Sequence, residues 1–293
     1  MKVDSNFVMS INGDAVTTEH TQPVYNPATR AVFAQVPDAS REQLDQTVGF
    51  ARAALKGWAA TPAEGRQAAL ERYASLIEAH AEEFVSLLTR EQGKPKAGAE
   101  WEVFGSVDWL RAVASQRLPD EVVEDGDDRR VVTRFTPVGV VGAIVPWNFP
   151  VFLAVSQIAT AFGAGNRAMV KMSENSRHLT RLLQELSPQY LPEDKLFFIE
   201  ETGGVGIEFS KLAFDLIIFT GSGATGKKVM ASAAQNLTPV ILELGGKSPA
   251  IIDPDYDLVK AAERIMFAKQ FNAGQICVNV DYVLVHKSQA DEF

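Results

Sequence analysis

The chemistry available to this 293-residue chain centres on one thiol, Cys277, its only cysteine. It has no partner for a disulfide within the chain, and metal clusters ordinarily need several ligands, so a lone thiol is a candidate nucleophile. A free cysteine also serves in many proteins simply as a small buried hydrophobe. The neighbours favour the nucleophile. Asn272-Ala273-Gly274-Gln275-Ile276-Cys277 places the sulfur after a glycine-containing turn that follows an amphipathic helical pattern, at a loop end. Upstream, Glu243 closes an apolar run in Ile241-Leu242-Glu243-Leu244-Gly245-Gly246. Burial there would raise its pKa toward the range useful to a general base. A third group is Asn148, in Pro146-Trp147-Asn148-Phe149-Pro150. A side-chain amide just after a strand can donate to an oxygen that gains charge when a carbonyl is attacked, although asparagine in a turn is commonly only a turn residue.

The elements that must position these groups follow from periodicity. Residues 1–38 read as a polar lead and irregular extended pieces, with a turn at Asn26-Pro27-Ala28-Thr29. Ser40-Arg41-Glu42-Gln43 is a capping box that opens a helix to about Ala60. Thr61-Pro62-Ala63-Glu64 opens a second, stopping near Gly93-Lys94-Pro95, and a third runs through Trp101, Phe104, Trp109 and Val113; their apolar stripes read as core. Residues 118–136 read as a polar hairpin turning at Asp125-Gly126-Asp127. From Pro137 strands and helices alternate, with strands at 138–145, 168–172, 196–199, 216–220 and 239–242 and helices at 151–162, 176–190 and 224–236. This predicts an α/β fold with a doubly wound parallel sheet whose ligands bind at the carboxyl ends of the strands. Lys171 and Glu174 end the second strand, where a glutamate accepts hydrogen bonds from ribose hydroxyls and repels a 2′-phosphate. Gly221 to Lys227 fits the phosphate-cradling pattern GxxxxGK, and Ala250-Ile251-Ile252-Asp253 imitates a magnesium-holding strand. Lys228 stands where that pattern needs Ser or Thr, and the alternative is a Gly-Ser turn presenting backbone donors to a pyrophosphate.

Composition bounds the rest. A hydrophobic share of 46% and a charged share of 22% are those of an ordinary globular protein. A net charge of −9 without a basic stripe argues against nucleic acid. The amino terminus lacks the apolar core of a signal peptide, no apolar run suits a membrane span, and one cysteine fits a reducing, cytoplasmic setting. His20, His80, His178 and His286 lack metal-ligand spacing, so no metal is expected, and no GxSxG supports a serine hydrolase.

The segments LELGGKSP and FNAGQIC are similar to the two signature regions of aldehyde dehydrogenases, and PWNFP and KMSE match two more, in the family's order over nearly the whole chain. The resemblance implies that Cys277 is the nucleophile, Glu243 the base that activates water, and Asn148, with the backbone N–H of Cys277, the oxyanion site. It assigns Trp147, Lys171, Glu174, Gly221, Ser222 and Gly226 to the cofactor, NAD with NADP as an alternative. It implies oxidation of an aldehyde to the acid through a cysteine thiohemiacetal and thioester. Residues 1–117 and 137–245 would form the dinucleotide-binding domain, 118–136 an association hairpin of a homodimer or homotetramer, and 246–293 the start of a catalytic domain. The run around Cys277 is most similar to the class 3 branch and its bacterial coniferyl-aldehyde dehydrogenase group, implying aromatic or medium-chain aldehydes; Trp147, Phe149 and Phe152 are candidates to line an apolar tunnel and equally candidates for core. Family chains continue well past the position of Phe293, so the sequence reads as truncated, and a nucleotide-binding remnant without turnover is the competing expectation.

Overall fold

The computed structural model describes residues 9–11, 14–16, 18, 21–25, 30–37, 39–191, 196–201 and 204–293. The turn expected at 26–29, His20 and most of the polar lead lie outside the described residues.

Three antiparallel pairs come first in the chain: β1 Met9–Ile11 with β2 Asp14–Val16, β3 Thr21–Tyr25 with β4 Val32–Pro37, and β5 Glu121–Asp125 with β6 Arg130–Thr133. Between the second and third pairs lie helices α1 Arg41–Ala59, α2 Ala63–Ala79, α3 Ala81–Gln92 and α4 Lys96–Ala114. The capping box stands as read: Ser40 Oγ accepts the Gln43 N–H at 3.2 Å and Gln43 Oε1 accepts the Ser40 N–H at 2.8 Å. The expected second helix is two helices. His80 leaves the helical region (φ −108°, ψ 19°), and its carbonyl restarts the ladder by accepting the Glu83 and Phe84 N–H groups. Gly93, at φ +69°, then ends α3 in the left-handed conformation that glycine adopts without strain. The hairpin β5–β6 forms as expected and is exposed along its length except at the half-buried Val132.

The central sheet is fully parallel. Its strands are β7 Val140–Ile144, β8 Arg167–Lys171, β9 Leu196–Ile199, β10 Leu216–Gly221 and β11 Val240–Leu244, in the order β11-β10-β7-β8-β9. Helices α5 Pro150–Gly163, α6 Arg177–Tyr190, α7 Val205–Ser210 and α8 Gly223–Ala233 make the crossovers. The sequence pattern missed the six-residue α7, and a 3-10 turn at Ala234–Asn236 ends the helix expected to reach 236. Every residue of β7 and β8 is buried, and alternation divides them between two cores. Val141, Ala143 and Val145 join α2, α4, α5 and α6 on one face, while Val140 and Ile144 join Phe209, Phe214, Phe219 and Val229 on the other. The chain leaves β7 toward β8 on one side and later returns to β10 on the other. The crevice at that reversal, outside the carboxyl ends of β7 and β10, is where such sheets bind ligands.

Beyond the sheet, β12 Ser248–Ile251 pairs in parallel with β13 Val280–Leu284, and α9 Leu258–Gln270 connects them.

Candidate active site

The thiol loop begins where α9 stops. Asn272, Ala273 and Gly274 all take positive φ (51°, 55° and 79°), which turns the chain sharply within the 3-10 segment Phe271–Gly274. Gly274 adopts this freely and Asn272 with modest cost, whereas Ala273 carries roughly 1 kcal/mol of strain there. The turn brings the Cys277 carbonyl to the Gly246 N–H at 3.2 Å, tying the loop to the segment that follows β11. Glu243 lies on β11 opposite Thr220 of β10. Its expected burial is not found: β11 is the sheet's edge strand and Glu243 is exposed. Cys277 is exposed too.

Asn148 follows β7 in the turn that opens α5. Its Nδ2 donates to the Gln275 carbonyl at 2.7 Å, and its own carbonyl accepts from Asn272 Nδ2 at 3.1 Å. Asn148, Glu243 and Cys277 therefore line one cavity of about 570 Å³. Trp147, Phe149 and Phe152 line it as expected, joined by Trp101 and Phe271. Phe271 stacks on Phe149 with centroids 6.3 Å apart, and Trp101 meets both edge-on at 5.5 and 6.1 Å. The aromatic stripe of the third expected helix is thus not core. Trp101, Phe104 and Trp109 are exposed, and α4 buries its small and aliphatic face instead, Ala99, Val103, Val107 and Leu110. Packing against α2 and α5 admits these compact side chains, so the rings turn outward beside the cavity.

A second, larger cavity of about 950 Å³ follows the carboxyl edge from β8 to β10. Lys171, Glu174, Gly221, Ser222 and Trp147 all line it. Lys171 is buried and its Nζ lies 3.1 Å from Glu201, whose two oxygens accept the Gly204 and Gly206 N–H groups at 2.8 Å each. Sequence reasoning passed over Glu201, because nothing local links it to a lysine thirty residues earlier. Arg177 also lines the groove; burial pushes its guanidinium down against the pull of Glu200, and burial pushes Glu200 up against the pull first of Arg181 and then of Arg177.

The helix ends along this edge differ in a way that bears on anion binding. Glu102 caps α5 through the Val151 and Phe152 N–H groups, Glu91 caps α6 through those of His178 and Leu179, and Glu201 caps α7. At α8 the cap is only the hydroxyl of Ser222, which accepts the Thr225 N–H at 3.2 Å. Among the described residues no such carboxylate neutralises its partial positive end, which opens on the groove, a fit for a pyrophosphate. Gly226 is the one expected cofactor residue that does not line the groove. Its N–H is bonded to the Ser222 carbonyl, and a Cβ there would stand 3.0 Å from Leu244, so this glycine lets α8 pack on β11. The nucleotide-triphosphatase reading also falls. The helix already begins at Gly223, leaving no loop to wrap phosphates, and Asp253 follows β12, which pairs with β13 rather than beside β10. Among the described residues no group of three or more His, Cys, Asp or Glu is placed to hold a metal.

The two cavities share Pro146, Trp147, Thr220, Gly221 and Ser222 as a common wall. Fold and site together define a doubly wound α/β chain of the dinucleotide-binding kind, with a thiol, a carboxylate and an amide gathered beside the groove. The chain belongs to the aldehyde dehydrogenase family, whose pattern matches residues 15–293. It is 52% identical over 159 residues to a probable coniferyl aldehyde dehydrogenase of Pseudomonas aeruginosa, an overlap of 54% of this chain and 33% of that one. Among solved structures it is similar to a lactaldehyde dehydrogenase (TM-score 0.89, 33% identity, 98% of this chain and 62% of that chain). It is similar also to a Mycobacterium tuberculosis aldehyde dehydrogenase complexed with NAD+ (TM-score 0.88, 33% identity, 99% and 62%). The chain thus spans 62% of the length of both.

Proposed function

We propose that the protein oxidises an aldehyde to its carboxylic acid with NAD, or alternatively NADP, as oxidant. The observation that carries this is the placement of Cys277, Glu243 and Asn148 on one cavity that shares a wall with the groove beside the α8 N-terminus. The Cys277 thiolate adds to the aldehyde carbon, forming a thiohemiacetal oxyanion that accepts hydrogen bonds from Asn148 Nδ2 and the Cys277 N–H. A nicotinamide cofactor held by Ser222, Lys171 and Glu174 would supply the acceptor for the hydride lost from the thiohemiacetal carbon, the oxidation that gives a thioester on Cys277. Glu243, on the exposed edge strand, takes a proton from water as that water attacks the thioester, and the thiolate departs with the acid formed. Ser222 and the first turn of α8 hold the pyrophosphate, while Lys171, kept in place by Glu201, and Glu174 take the ribose hydroxyls.

The wall of Trp101, Phe149, Phe152 and Phe271 favours an aromatic aldehyde of the coniferyl type over a medium-chain aliphatic one, since flat rings stack on such surfaces. The relative kcat/KM for coniferyl aldehyde, benzaldehyde and hexanal tests this preference. The projecting hairpin β5–β6 serves association between copies, which sedimentation of a chain lacking residues 121–133 would check. The deciding experiment for the chemistry follows NADH formation by the parent and by Cys277→Ala. Turnover in the parent alone supports the proposal, and turnover in both refutes it. Binding of NAD by the parent without NADH formation would identify a nucleotide-binding remnant instead.

A further inference from the structure

An asparagine serves an oxyanion only when its nitrogen, not its oxygen, faces the reacting centre, and the two ends of the amide are nearly isosteric. At Asn148 the choice is made by the Gln275 carbonyl, which lies 2.7 Å from Nδ2 and can only accept. The other end of the amide contributes nothing, since Asn148 Oδ1 is buried without a hydrogen-bond partner among the described residues. The orientation therefore depends on where the Gln275 carbonyl is held. Asn272 holds it: its Nδ2 bridges the Asn148 carbonyl at 3.1 Å and the Gln275 carbonyl at 3.4 Å, and its own carbonyl accepts from the Gln275 side chain at 2.9 Å and backbone at 3.1 Å. Asn272 is not among the residues lining the cavity. Its backbone, at φ 51° and ψ 34°, is one that glycine would adopt with less strain, so conformation alone does not call for this side chain.

We infer that Asn272 is a positioning residue whose amide clamps the turn carrying Asn148 to the thiol loop and so sets the Asn148 amide toward Cys277. The inference rests on the proposed aldehyde oxidation, but the clamp itself has a readout that needs no turnover. In chain labelled with 15N-asparagine, the Asn148 side-chain amide is identified by its loss in Asn148→Asp, and its exchange with solvent is measured in the parent, Asn272→Gly and Asn272→Ala. Glycine keeps or relaxes the backbone while removing the clamp. A purely conformational role is therefore satisfied by Asn272→Gly and failed only by Asn272→Ala. The expected result is at least a tenfold faster Asn148 amide exchange in both variants. Acylation of Cys277 should slow by between about tenfold and the roughly hundredfold that follows loss of an oxyanion donor outright. NAD affinity and the rate of Cys277 alkylation by iodoacetamide should stay within about twofold, because neither uses the Asn148 amide. Parent-like exchange and acylation in Asn272→Gly would overturn the inference. Should the parent form no acyl-enzyme at all, the aldehyde-oxidation reading fails, while the amide exchange still decides the clamp.

Discussion

Lys94 and Glu102 form an ion pair sealed inside the protein, 4% and 0% exposed, joined by a short hydrogen bond. Glu102 also accepts the Val151 and Phe152 N–H groups at 2.8 and 3.2 Å, and Lys94 Nζ sits 3.9 Å from the centroid of Phe149, next to Asn148. Burial pushes the Glu102 carboxyl up and the Lys94 ammonium down, in each case against the pull of the partner. Removing one partner leaves a buried charge that can always escape by neutralising, which sets a ceiling on the cost. Near pH 7.4 that ceiling is about 4 kcal/mol for either group, from 1.36 kcal/mol per unit over roughly three units of pH. Glu102→Gln should approach it, because the Lys94 ammonium keeps only the Phe149 face. Lys94→Met should cost about 1–3 kcal/mol, because the carboxylate retains two N–H donors and a helix N-terminus. The double variant Lys94→Met/Glu102→Gln should return to within about 1 kcal/mol of the parent, since Gln keeps an acceptor for α5 and no charge is buried.

The pH slopes of the two single variants have opposite sign. In Lys94→Met the folded Glu102 pKa lies above its unfolded value, so stability is full below the ordinary carboxylate pKa and is lost as pH rises through the folded one. In Glu102→Gln the folded Lys94 pKa lies below its unfolded value, so stability is full above the ordinary amine pKa and is lost as pH falls through the folded one. Urea transitions followed by tryptophan fluorescence at pH 5, 7.4 and 9, with the m-value checked for constancy, measure all of this. Equal losses in the two single variants, with no recovery in the double, would refute the reasoning.

Two further changes test the site. Glu243→Gln should give one rapid equivalent of NADH per chain and then a steady state slower by at least about a hundredfold, because in the proposed mechanism only thioester hydrolysis uses the base; a rapid-mixing trace without a burst but with normal turnover would contradict it. Gly206→Ala builds a Cβ 2.7 Å from Glu201 Oε2 and 3.4 Å from Lys171 Nζ. It should displace that pair and weaken NAD binding about three- to tenfold, roughly 1 kcal/mol by calorimetry, with unfolding nearly unaffected.

What could be read from the sequence divides along a physical line. β7 is buried on both faces and appears as an unbroken apolar run, β8 as a short one between the buried Arg167 and Lys171, and the doubly wound order follows from the alternation of strands with helices. Asn148, Glu243 and Cys277 each stand in a short local motif, and the topology then delivers those motifs to one edge. Ser222 was legible for the same reason, since it caps α8 from the adjacent residue. The groups that hold the edge in shape were not legible. Glu102 reaches α5 across 49 residues and Glu91 reaches α6 across 87, and no spacing rule links a carboxylate to a helix end that only tertiary packing brings near. The outward turn of Trp101 and Trp109 was hidden likewise, because a stripe shows where apolar residues lie but not which neighbour will cover them. These two kinds of residue act together at the groove. The distant Glu102 and Glu91 and the nearby Glu201 each accept two N–H groups at the N-termini of α5, α6 and α7, whereas at α8 the local hydroxyl of Ser222 takes one. The anion site proposed at Gly221-Ser222 owes its selectivity to glutamates at the other three helix ends, two of which no local spacing marks.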